Sequence, residues 1–129
     1  SGNSPCGVYA TSSPSGSPVD MIDCIVWGNT PENINFTNNV TWSDIEGGCP
    51  GVGNIDLPPQ FRNPAALDYT LLAASPCINA GADCGIYSDC RGETRPFDGG
   101  YDMGAYEIIP EPLCILPLLL AAACIHRRA

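Results

Sequence analysis

Glycine and proline recur so closely along this chain that long helices have little room to form. The 129 residues include 14 Gly and 13 Pro. Each Pro removes a backbone donor and each Gly loosens the local conformation. Such punctuation predicts an all-β chain of short strands joined by many turns. Val19–Trp27 reads as one strand region, with Ile22 and Cys24 or Ile25 expected inside, and Gly28-Asn29-Thr30-Pro31 ends it. Val40–Ile45 is a second, closed by Gly47-Gly48-Cys49-Pro50-Gly51. Shorter extended pieces fall at Gly7–Ala10 and Asn54–Leu57, separated by a Ser/Pro/Gly loop (11–18) and a polar passage (32–39). Ile45 follows Ile25 by 20 residues, and Val8 precedes Ile25 by 17. Strands recurring near that spacing fit the coils of a solenoid, and a β-sandwich also places short strands between turns.

Charge and chemistry narrow the function classes. The formal net charge is −9 and lysine is absent, so there is no basic stripe for a nucleic-acid partner. The lone histidine, His126, lies near the C-terminus, which leaves the body without a base for Ser-His or Cys-His catalysis. No phosphate loop, dinucleotide fingerprint or zinc-type CxxC pair occurs. Asp98 and Asp102 are close enough in sequence to suggest a hydrolytic carboxylate pair, but they read as solvated structural carboxylates, and the chain is expected to be non-enzymatic. Of eight cysteines, Cys84 and Cys90 flank a five-residue loop and are the preferred disulfide pair. Cys24 and Cys77 read as small buried hydrophobes.

The segment from Ser75 to Glu107 is expected to close the fold. Arg95 is a fork-shaped guanidinium set among Asp83, Asp89, Asp98 and Asp102, and it is the natural centre of a hydrogen-bond network. Asp102–Glu107 reads as a final strand, with the Tyr106 ring buried and its hydroxyl wet. The same four aspartates are weak candidates for a Ca²⁺ site, since a hard cation wants several oxygens.

Three ordered motifs here resemble one family. They are Ser75-Pro76-Cys77-Ile78-Asn79-Ala80-Gly81, then Asp89-x-x-Gly92-x-x-Arg95-Pro96, then Asp102-x-Gly104-Ala105-Tyr106-Glu107. Together they resemble the C-terminal closure of bacterial choice-of-anchor Q surface proteins, which normally carry Asp where Asn79 stands. The segments Gly7-Val8-Tyr9, Asp23–Asn29 and Gly53–Phe61 resemble the coils that precede that closure. The resemblance implies a right-handed parallel β-helix, with terminal coils in residues 1–74 and a closing segment in 75–107. It implies a structural closure network of Asp89, Arg95, Asp102, Tyr106 and Glu107. A stack of about three coils needs neighbours to bury its apolar faces, so the chain is expected to be the C-terminal piece of a longer exported protein.

Residues 108–129 change character. Pro110-Glu111-Pro112 is followed by the mostly apolar Leu113–Ile125 and then His126-Arg127-Arg128. As a helix, thirteen residues would reach about 20 Å, short of the roughly 30 Å hydrocarbon core. This order is similar to a PEP-CTERM sorting signal, with Pro110, Glu111, Pro112, Arg127 and Arg128 as its elements. That resemblance implies transient membrane association through a short helix, an exosortase-type processing partner, and delivery to the cell surface or extracellular matrix, with polysaccharide or matrix contact. Two rival functions are a pectate-lyase-like carbohydrate-active enzyme whose groove lies upstream, and a glycan-binding adhesin using Trp27, Trp42 and Tyr9.

Overall fold

A computed structural model describes residues 6–8, 20–29, 32–34 and 39–110. Tyr9 and residues 111–129 lie outside the described residues, as do the expected C-terminal helix and Glu111, Pro112, Arg127 and Arg128. The described chain is all-β. Its strands are β1 (Cys6–Val8), β2 (Met21–Ile22), β3 (Ile25–Val26), β4 (Glu32–Ile34), β5 (Val40–Thr41), β6 (Asp44–Ile45), β7 (Phe61–Asn63) and β8 (Asp68–Leu71). A single 3-10 turn, Pro64–Ala66, joins the last two. Among the described residues, no helix is long and apolar enough to cross a membrane.

The first six strands pair in parallel, β1 with β4, β2 with β5, and β3 with β6. Met21 faces Val40 and Ile25 faces Asp44, which is a step of 19 residues. A further parallel bridge joins Asp44 to Ile55, a step of 11 residues that the hydrogen bond from Ser43 to Asn54 repeats. By contrast, β7 and β8 form an antiparallel pair.

The two long strand regions each break at a corner. Asp23 (φ 56°) separates β2 from β3, and Trp42 (φ 50°) separates β5 from β6. Gly53 (φ 72°) repeats the left-handed conformation one step further on. These three corners are separated by the same 19- and 11-residue steps as the paired strands, so they sit in register. Behind the corners runs a second column, Cys24, Ser43 and Asn54. The Cys24 N–H donates to Ser43 Oγ (3.1 Å), and the Ser43 N–H donates to Asn54 Oδ1 (3.1 Å). Asn54 Nδ2 returns donors to the carbonyls of Val40 (2.8 Å) and Cys49 (3.0 Å). Polar side chains thus satisfy backbone groups that the strand ladders leave unpaired at the bends.

The corners also determine which residues are buried. Met21, Val26, Val40 and Ile45 form one small core, with Cys24 and Cys49 packed against it. Ile22 is 41% exposed, contrary to the expected inward position. The left-handed Asp23 turns the chain, so an alternation counted straight through Val19–Trp27 assigns that side chain to the wrong face. Ile25 and Ile55 instead lie against a second core of Leu71, Cys77 and Met103. The segment after Ser75 therefore packs across the face that carries Ile25, Asp44 and Ile55. Asp102–Glu107 forms no strand there, and the chain runs through bends.

Candidate functional site

The polar centre of the second half is built around Arg95, which is only 6% exposed. Its Nε donates to Glu107 Oε2 at 2.9 Å, and Nη1 donates to the Gly104 carbonyl at 3.2 Å. Nη2 donates to the carbonyl of Asp102. The guanidinium therefore reads one carboxylate and two backbone carbonyls, and so fixes the path of 102–107 without any strand ladder. Glu107 is fully buried. Its Oε1 accepts the Phe97 N–H (2.7 Å), and its Oε2 also accepts the Asp102 N–H (3.2 Å).

Two aspartates extend the network through backbone donors. Asp89 Oδ1 accepts N–H groups from Arg91 (2.7 Å) and Glu93 (2.9 Å), while Oδ2 accepts the Glu107 N–H (3.0 Å). Burial alone would raise the Asp89 carboxyl, but these three N–H donors and the neighbouring Arg91 outweigh it and hold its pKa below the ordinary range. Asp102 Oδ1 accepts the Asn79 N–H (2.8 Å), and Oδ2 accepts the Ile108 N–H (2.6 Å). Tyr106 is half-buried beneath Arg91, whose Cζ lies 5.1 Å from the ring centroid. Asp89, Arg95, Asp102, Tyr106 and Glu107 are thus brought into one neighbourhood, and the carboxylate partner of Arg95 is Glu107 rather than any of the four aspartates.

The remaining expectations fare differently. Asp83 and Asp98 are exposed, while Asp89 and Asp102 have both oxygens occupied by N–H donors, so the four do not converge on a cation. Among the described residues, no group of three or more His, Cys, Asp or Glu side chains is placed to hold a metal ion. Cys84 and Cys90 are not bonded to each other. Both are free thiols, as are Cys24, Cys49 and Cys77. Cys77 is fully buried, as a small hydrophobe would be, but Cys24 is only half-buried. Trp42 is 39% exposed, and one of its faces lies over Gly53, where an added Cβ would come within 2.3 Å of the ring.

Two buried carboxylates escaped the sequence reading. Asp44 is fully buried in β6, where Oδ2 accepts the Cys77 thiol (3.1 Å) and Oδ1 accepts the Leu57 N–H (3.1 Å). Burial pushes the Asp44 carboxyl up, and these two hydrogen bonds offset only part of that. Burial and the Asp44 carboxylate push the Cys77 thiol up to about 12. It therefore remains protonated at neutral pH and acts as a donor instead of a nucleophile. Asp23 is the second, 6% exposed, with Oδ1 accepting the Ala82 N–H at 2.7 Å. An aspartate inside a run of alternating strand residues was the available signal for Asp44. Nothing near Asp23 in sequence announces its partner 59 residues away.

The Arg95 network contains a buried ion pair, and both oxygens of Asp89, Asp102 and Glu107 accept backbone N–H groups. Chemically it is suited to holding backbone in place. Compared with protein-family models, curated proteins and solved structures, the chain finds no match.

Proposed function

We propose that this chain is a non-enzymatic structural module, the terminal coils and closing segment of a right-handed parallel β-helix in an exported bacterial surface protein. The observation that carries this reading is the repeated parallel register. The same 19-residue step governs β2 with β5 and β3 with β6, and left-handed corners recur in step with it. Chain that returns repeatedly to lie parallel to itself is the local signature of a coil, and each coil buries its apolar face only against its neighbours. The Arg95 network supports a closing role, because it fixes an irregular segment across three successive passes of the chain.

In this reading the Pro110-Glu111-Pro112 segment, the apolar Leu113–Ile125 and the terminal arginines form a sorting signal. An exosortase-type enzyme would cut it as the body passes to the cell envelope or matrix. The test is the intact mass of the protein recovered from the envelope of its native host. A mature form ending near Pro112 is the expected result, and recovery of only the full-length form, with Arg127 and Arg128 retained, would overturn the sorting proposal.

A further inference from the structure

Cys24, Cys49, Cys77, Cys84 and Cys90 are free thiols, and their surroundings separate them. Cys77 is fully buried and donates to Asp44 Oδ2 at 3.1 Å, which shields it from oxidants. Cys90 is held beside Tyr106. Its N–H donates to the Ala105 carbonyl (3.2 Å), and its thiol is hydrogen-bonded with the Tyr106 hydroxyl. Cys49 turns its Sγ to the carbonyl of the next residue, Pro50, at 3.8 Å. Cys24 and Cys84 remain, both half-buried, with Cys84 following Cys24 by 60 residues.

The fold brings the chain around these two together. Asp23, the residue before Cys24, accepts the Ala82 N–H on Oδ1 at 2.7 Å, and Ala82 stands two residues before Cys84. Gly81 makes the contact tight. A Cβ there would come within 2.6 Å of Asp23 Oδ1, and its N–H is tied to the Tyr101 carbonyl (2.8 Å). The two thiols also act on each other electrostatically: burial raises the Cys24 pKa, and negative charge on Asp23 and on Cys84 adds to the rise. Cys24 Sγ is in an exposed hydrogen bond to the Ile22 carbonyl (3.3 Å), so a small oxidant can approach it. Beyond Cys84 the chain has room to adjust. Gly85 (φ 77°) has open space around it, and Ile86 and Tyr87 are exposed.

We propose that Cys24 and Cys84 form a disulfide that staples β3 to the closing segment. The thiolate of one cysteine attacks a small disulfide such as oxidised glutathione, releasing one small thiol and leaving a mixed disulfide. The thiolate of the other then attacks the protein sulfur of that mixed disulfide, and the second small thiol leaves. The protein gives up two protons and two electrons, and the oxidant's S–S bond becomes two thiols. A disulfide bridges only a short span between backbones, and here the flanking residues are already in hydrogen-bond contact. Closing so long a loop restricts the unfolded chain, so the link should stabilise the fold. Its persistence in the native setting rests on the proposed export to oxidising surroundings, but its formation in a redox buffer does not.

The full chain is equilibrated with oxidised and reduced glutathione at mildly alkaline pH, where more thiolate is present. Remaining thiols are capped with iodoacetamide, and the chain is cut before each aspartate without reduction. That cleavage isolates Cys24 in peptide 23–43 and Cys84 in 83–88, and it leaves Cys49, Cys77 and Cys90 in 44–55, 68–82 and 89–97. The expected product is 23–43 joined to 83–88, two hydrogens lighter than the sum of the two. Capped 83–88 as the main form, or 83–88 joined to any other peptide, would overturn the proposal. The fold must also select the pair, so oxidation in concentrated urea should scatter the links among several peptides, and an equal yield of the 23–43 with 83–88 product there counts against it. Oxidation should raise the urea midpoint of the wild-type chain and leave that of Cys84→Ser unchanged; the same rise in Cys84→Ser also overturns the staple. A missing link leaves the β-helix reading in place, since that rests on the strand register, and the link survives if the tail proves uncut.

Discussion

Arg95 and Glu107 form a buried pair whose strength comes from geometry. Removing two charges from water costs several kcal/mol per ion, and attraction offsets this only where the remaining donors and acceptors are filled. Here the guanidinium reaches Glu107 and two carbonyls, while Glu107 also accepts N–H groups from Phe97 and Asp102. Arg95→Met should therefore lower stability by about 3–5 kcal/mol, since it leaves Glu107 buried and uncompensated. Arg95→Lys keeps the charge but has no planar fork to span a carboxylate and two carbonyls, so it should recover only part of the loss. Urea denaturation of the three proteins checks this ordering, and a lysine variant as stable as wild type would show that charge alone suffices. Arg91 gives the contrast. Its side chain is 47% exposed, with Nε 3.7 Å from Asp89, and such a pair contributes about 0–1 kcal/mol.

The corners at Asp23, Trp42 and Gly53 decide how the elements sit. Gly53 combines a positive φ with the Trp42 ring directly over its missing side chain. Gly53→Ala should cost about 2–4 kcal/mol, the sum of left-handed strain and overpacking. Gly28 has a similar φ of 70° but open space around it, so Gly28→Ala should cost only the strain, about 1–2 kcal/mol. Thermal unfolding of the pair separates the two contributions, and equal losses would mean that the Trp42 ring moves aside freely. These corners also mark where sequence reading stops. Short strands and a recurrence near 20 residues are legible in Val19–Trp27 and Val40–Ile45, because glycine and proline bound them. The break inside each region is not, because a left-handed Trp42 looks like any other strand residue until its neighbour one step away is known. The closure was legible as a group of residues, yet its central bond was not. Arg95 lies nearer in sequence to Asp98 and Asp102 than to Glu107, and only the irregular path of 96–106 brings the glutamate back to it. The antiparallel pairing of β7 with β8 was hidden for a similar reason, since it depends on the left-handed turn at Leu67.

Across the described residues as a whole, two small apolar cores are accompanied by several buried polar groups. Asp44, Asp89, Asp102, Arg95 and Glu107 are all buried, so stability depends on protonation more than it would in a wholly apolar interior. Two of these groups act in opposite senses. The Asp44 carboxyl is raised by burial, so its contribution is fully present below the unfolded pKa and is lost as pH rises through the folded value. The Asp89 carboxyl is depressed despite burial because of its N–H donors. Its contribution is present above the unfolded pKa of about 3.9 and is lost as pH falls through the folded value. Asp89→Asn isolates that second effect, because Asp44 is common to both proteins. The variant's amide cannot accept all three N–H bonds, so it should be clearly less stable than wild type at pH 7. The gap should then narrow as wild-type Asp89 becomes protonated in acid. Urea midpoints measured from pH 7 down to about pH 2 follow the two curves together. Convergence towards low pH is the expected result, whereas a constant gap would mean that Asp89 stabilises the closing segment by shape alone and that its charge contributes nothing.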